Sequence, residues 1–233
     1  MLVGVQLTRP TILTAAIAIL DEYGLADTTM RRIAKQLSVA PGALYWHFPN
    51  KQALLAGIAV ELLRPLIGAA PLRFLVNDGA QAAGTQTDRL AMPDEETMIV
   101  VDTDGMDWQE ALRTRAMCLR TCMLTVTDGS DVVATALANE ELHSRVLEAC
   151  ALPLQDVVPD EKARRIAAST VVDFVVGSTV GEQSRQRLAQ FTTKPAPTQE
   201  QADAAYRAAF EAAVQSVSNG VDLIIAGIAA RAQ

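Results

Sequence analysis

Over the first helical stretch, apolar side chains recur three and four positions apart: Ile12, Ala15, Ala16, Ile19, Leu20 and Tyr23. That period predicts one amphipathic helix. Thr8 is placed to cap it, Pro10 is tolerated in its first turn, and Gly24 is placed to end it. Met30, Ile33, Ala34 and Leu37 mark a second helix that begins at Thr28 or Thr29 and stops at Ser38-Val39. A third, very short helix has to fit between Ala40 and Phe48, because Pro49 breaks it and Asn50 caps a fourth, which runs from Lys51 to about Arg64. Further on, Asp107 with Glu110 and Thr198 with Gln201 form capping-box patterns ahead of long helices. Gly177, Ser178, Thr179 and Gly181 give one late helix a small-residue face, and Val214, Val217, Val221 and Ile224 put an apolar stripe on the last. Aromatic and β-branched alternation of period two is scarce, so the expected fold class is all-α.

The gap between the second and third helices has the spacing of a helix-turn-helix. The third helix lies in "SVAPGALYWHFPNKQALL", where Tyr45, Trp46, His47 and Phe48 crowd four consecutive positions although aromatics make up 4% of the chain. A recognition helix held between its own core and a DNA groove accounts for this, because nearly every side of it has a task. Leu44 and Phe48 are then expected to face the core, while Tyr45 and His47 present polar tips to DNA. Gly42 lets the backbone approach a phosphate closely, and the helix start offers N–H groups that suit one.

"TTMRRIAKQLSVAPGALYWHFPNKQALL" resembles the DNA-binding segment of the TetR family of repressors. The resemblance lies in a threonine, an Ile-Ala pair, a turn, then Leu-Tyr-x-His-Phe and a lysine before an Ala-Leu-Leu helix. "DWQEALRTRAMCLRTCMLTVTDGSDVV" is similar to the fifth helix of the tetracycline-repressor subgroup and the turn after it. "VVDFVVGSTVGEQSRQR" is similar to its eighth helix and "FEAAVQSVSNGVDLIIAG" to its final one. The resemblance implies a helix-turn-helix DNA-binding domain over residues 1–53. It implies a helical ligand-binding and dimerisation domain over 54–233, in which the eighth and final helices build the dimer bundle. The implied partners are a near-palindromic double-stranded DNA operator, a small-molecule effector and a second copy of the chain.

Carried over residue by residue, Thr29, Tyr45, His47 and Lys51 are expected on phosphates, and Arg31 on a base or a phosphate. Pro41, Gly42 and Ala43 depart from the family, which often has Ser, Thr or Gln there. Base reading at these positions has to be apolar, against thymine methyls, or carried by Arg31. Met117, Thr121, Cys122, His143 and Phe174 are the candidates for the effector pocket. Tetracycline repressors hold magnesium through histidines in this domain. Here Val133 stands where the turn would supply one, and Gly181 where the eighth helix would supply an acid, although Glu182 follows. A magnesium–tetracycline site is therefore not expected, and neither a metal nor a cofactor is assigned. A mostly apolar effector is expected.

Charge supports the division. The chain carries −7 overall, yet residues 1–55 hold five basic and three acidic side chains against 15 basic and 24 acidic in the remainder. A small basic module on an acidic body suits nucleic acid better than the total suggests. The segment 68–106 is rich in Gly, Asp and Thr and long for a connection in a compact domain. A mobile loop is expected there. A small hairpin over the pocket, built from Phe74-Leu75-Val76 and Met98-Ile99-Val100-Val101, is the alternative. "TTKPAPT" reads as a second flexible loop. No apolar run is long enough to suggest a membrane span, and no signal peptide is legible. Cys118, Cys122 and Cys150 form no disulfide or metal framework, which suits a reducing cytoplasm.

No phosphate loop, metal-ligand spacing or nucleophile elbow is present in the sequence, so no catalytic residue is assigned and an enzyme is not expected. The reading is a ligand-released transcriptional repressor. Its alternative is a helical enzyme or interaction protein whose helix-turn-helix does not bind DNA.

Overall fold

The computed structural model describes residues 7–68, 101–192 and 199–232. By packing, the chain divides into two units. One comprises Met1–Val100 with Cys122–His143, the other Val101–Thr121 with Ser144–Gln233.

In the first unit, α1 (Arg9–Asp27) is capped by Thr8, whose hydroxyl oxygen accepts the Thr11 N–H. Ile12, Ala16, Ile19 and Leu20 point into the core, each essentially inaccessible. Gly24, at φ 78°, ends the regular helix as expected, but helical turns resume and run on to Asp27. The Thr28 hydroxyl donates to Gly24 O across this kink. Thr29 caps α2 (Met30–Gln36) by accepting Arg32 N–H. The turn that follows is a Schellman motif. Ser38 adopts φ 56°, its N–H donates to Lys35 O, and Val39 N–H donates to Ala34 O. After this turn comes α3 (Pro41–Tyr45), with Pro41 in its first turn and Leu44 fully buried. Asn50 Oδ1 accepts Ala53 N–H and opens α4 (Lys51–Ile67). This helix passes the expected end at Arg64 and carries Pro65 inside it, and Leu66 beyond that proline is buried. α1 packs on α2 and α4, and α2 on α3. Ile33, Leu44, Phe48, Leu54 and Ile58 complete the core. Burial of each such side chain contributes about 1.5–3 kcal/mol, enough to hold short helices that would be unstable alone. α6 (Gly129–Ala136) lies against α4 in the same unit.

The second unit holds α5 (Trp108–Met123) as far as Thr121; Asp107 Oδ1 accepts Glu110 N–H and opens this helix, the cap that the sequence predicts. α7 (Glu140–Ala151) leads through a short 3₁₀ turn, Leu152–Leu154, to α8 (Glu161–Thr192) and α9 (Gln199–Ala232). α8 and α9 pack together, with Val171, Val172, Val175, Val217, Val221 and Ile225 buried. Among the described residues there are helices and turns but no strand. Most of the 68–106 insertion, with its two apolar runs, lies outside the described residues. So do the loop after Thr192 and the Thr198 cap.

Candidate functional site

The turn between α2 and α3 and the short length of α3 decide what the first unit exposes. α3 commits Leu44 to the core, and Phe48 follows it there at 2% exposure. Pro41, Gly42 and Tyr45 are left exposed, with Ala43 and His47 half-buried. Trp46 is 83% exposed, the most accessible of the large apolar side chains described. Spacing alone assigns Trp46 no role within the aromatic run. A Cβ added at Gly42 would meet nothing within 4 Å, so nothing inside the chain demands glycine there. Thr29, Arg31 and Lys51 are also exposed. Thr29 is already engaged as the cap of α2. Lys51 Nζ donates to Leu25 O at 3.3 Å, which ties the start of α4 to the end of α1.

The other side of the Leu25 peptide is also held. Leu25 N–H donates to Asp128 Oδ2 at 2.8 Å. The neighbouring Thr127 donates its N–H to Asp21 Oδ1 and its hydroxyl to Asp21 O, at 3.1 and 2.8 Å. Asp128 sits at φ 55°, a left-handed conformation that aspartate tolerates better than most residues. The lead-in to α6 therefore clamps the end of α1 through three hydrogen bonds. Leu25 connects that clamp to Lys51.

The comparisons with known proteins agree with this architecture. The family described as "Bacterial regulatory proteins, tetR family" matches residues 12–58. "Tetracyclin repressor-like, C-terminal domain" matches residues 102–232, more than half of the chain. The chain belongs to the TetR family. It is similar to the class D tetracycline repressor of Escherichia coli, 26% identical over 201 residues that cover 84% of this chain and 74% of that one. BioQ of Mycobacterium smegmatis superposes with a TM-score of 0.69 at 28% identity, covering 97% of this chain and 99% of that one. A structure of BioQ with its natural double-stranded DNA operator gives 0.65 at 29% identity, with the same coverage. TetR proteins are transcriptional regulators, not enzymes.

The effector-pocket candidates fall in different surroundings within this TetR chain. Met117 is half-buried, and Met117 O accepts the hydroxyl of the exposed Thr121. Cys122 is 3% exposed and His143 half-buried. The Phe174 ring lies over Gly220 of α9, where any side chain would collide with it. Val133, standing where a magnesium-binding histidine would be, is fully buried in α6. Among the described residues, no group of three or more His, Cys, Asp and Glu side chains is gathered for a metal.

Two buried arginines on α5 escaped the sequence reading. Arg120, 2% exposed, donates from Nη2 to both carboxylate oxygens of Glu182 on α8 at 2.8 Å, with its guanidinium 5.1 Å from the Phe210 ring centre. Gln186 Nε2 also donates to Glu182. Arg115 is 9% exposed and donates to Ala149 O and to the Thr103 hydroxyl. The Nε–H of each arginine is buried without a hydrogen-bond partner among the described residues. The partners lie 62 residues apart for Arg120 and 34 and 12 apart for Arg115, beyond any local pattern.

Proposed function

We propose that this chain is a homodimeric repressor that seats α3 of each subunit in a major groove of a near-palindromic operator and leaves it when a small molecule binds the C-terminal domain. DNA binding is assigned to residues 1–53, effector binding and dimerisation to 54–233. One observation carries the reading: α3 spends only Leu44 on the core and exposes Pro41, Gly42, Tyr45 and the adjoining Trp46. A helix used only for packing has no need of that apolar, outward face.

On this reading Thr29, Tyr45, His47 and Lys51 meet phosphates, and the Trp46 ring lies against sugar and phosphate beside Tyr45. Pro41 to Ala43 carry no side-chain hydrogen-bonding group, so specificity comes from thymine methyls and from Arg31. The open space around Gly42 supports a close approach of the DNA backbone.

The dimer follows from surface that one chain leaves uncovered. The segment Arg207–Arg231 is long and apolar, yet most of it is left unburied within the chain. Leu223 is 77% and Leu188, on α8, 64% exposed. Apolar surface of this kind on paired helices suits a second copy of the same helices.

Effector release requires the ligand to prefer the conformation that cannot bind DNA. The clamp from Thr127 and Asp128 onto α1, relayed through Leu25 to Lys51, is the element that such a shift would bias. A gel shift with DNA from upstream of the protein's own gene tests the reading. Retardation that a small molecule reverses is expected. Absence of any retardation at micromolar protein and low salt would refute it.

A further inference from the structure

The two buried arginines of α5 differ in one respect, which bears on the chemistry of the effector. The charge of Arg120 is answered by Glu182. No carboxylate among the described residues pairs with Arg115, whose two contacts are the neutral oxygens of Ala149 and Thr103. Ala149 lies in the last turn of α7, so the helix dipole answers part of the charge, roughly half of one unit. The thiol of Cys150 also interacts with Arg115, but burial pushes that thiol up to about 12, and it stays neutral at physiological pH. A buried cation without a full counter-charge is strongly disfavoured, and a buried N–H without an acceptor adds to the cost. The chain nevertheless places both on the helix that the family's ligand domain begins with.

We infer that Arg115 is the anchor for an acidic group on the effector, which is therefore an amphipathic organic acid and not a neutral apolar molecule. The inference rests on the proposal that this domain binds an effector. A carboxylate on the Nε edge of the guanidinium would satisfy the remaining donor and supply the missing negative charge together. The same group at Arg120 would instead leave an excess negative charge beside Glu182, so Arg115 is the anchor of the two.

The test uses the full-length dimer and two matched pairs of probes: decanoate with decanamide, and 1-naphthoate with 1-naphthamide. Each is titrated by calorimetry into the wild type, Arg115→Met and Arg115→Lys. In the wild type at least one acid is expected to bind about ten- to a hundredfold tighter than its amide, the value of a charge-assisted hydrogen bond. That preference should vanish in Arg115→Met, while amide binding is kept. Arg115→Lys, which keeps the charge but not the Nε edge, should show a reduced preference and serves alone if the methionine variant does not fold. Acids that bind no better than amides, a preference that survives both substitutions, or no binding of any probe at millimolar concentration would overturn the inference. Operator binding by the ligand-free wild type, measured in parallel, separates these failures from a failure of the repressor reading itself.

Discussion

Replacing Gly24 by alanine attacks the clamp between α1 and the start of α6 at its tightest point. Gly24 has φ 78° and ψ 179°, a region that residues with a side chain essentially do not enter. That strain is worth about 1–3 kcal/mol. The new Cβ would also lie 2.9 Å from Asp128 Oδ2, the oxygen that accepts Leu25 N–H. Either the carboxylate shifts, leaving that N–H short of an acceptor at about 1–3 kcal/mol, or the backbone does. The two effects share one contact and are not additive, so the expected loss is about 2–4 kcal/mol. For a chain of this size that lowers Tm by roughly 5–15 °C. Thermal unfolding of Gly24→Ala, Asp128→Ala and the double variant gives a cycle. The double variant should lose clearly less than the sum of the singles, because removing the carboxylate also removes the collision. Operator affinity should fall in all three. A Tm for Gly24→Ala within about 2 °C of the wild type, or strict additivity in the cycle, would refute the assignment of this clamp.

Leu223→Glu should leave each chain folded but split the dimer, since Leu223 is 77% exposed within one chain; a sedimentation mass still at twice 24.9 kDa would exclude that face. Arg120→Met should destabilise by about 3–5 kcal/mol in denaturant titrations, because it strands the buried Glu182 carboxylate, and Arg120→Met with Glu182→Leu should recover much of the loss. Lys51→Ala should weaken operator binding and reduce the salt slope by about one ion per subunit, with an unchanged slope counting against phosphate contact. Gly42→Ala should raise stability by up to about 1 kcal/mol, as alanine does in a helix, yet lower operator affinity; unchanged affinity would mean that DNA does not approach this backbone closely.

What the sequence made legible was local. Thr8, Asn50 and Asp107 each cap the helix that the sequence assigns to them, because a cap reaches only two or three residues ahead, and of the two starts open for α2 it is Thr29 that caps. Leu44 and Phe48 turn inward together because one turn, closed by the Phe48 N–H donating to Leu44 O, separates them just past the end of α3. What was missed is held from a distance. The helical turns after Gly24 depend on Asp128 and Thr127, more than 100 residues away. α4 runs past the expected end near Arg64 to Ile67, where Leu66 is buried in the core, a tertiary contact that local spacing does not reveal. Arg115 and Arg120 look like surface charges on a helix, since their acceptors lie on α7, in the lead-in to α5 and on α8. The family resemblance supplied the functional reading where spacing alone could not, and the departure at Pro41 to Ala43 keeps the operator sequence outside its reach.

The central claim, a two-fold repressor that reads DNA with α3 of each subunit, is tested most directly by a hydroxyl-radical footprint on DNA that the protein retards. Two protected windows related by a dyad, with centres about 34–36 Å apart or a multiple of that, are predicted, and protection should disappear with Tyr45→Ala and Trp46→Ala combined. A single asymmetric window, or protection that survives those substitutions, would contradict it.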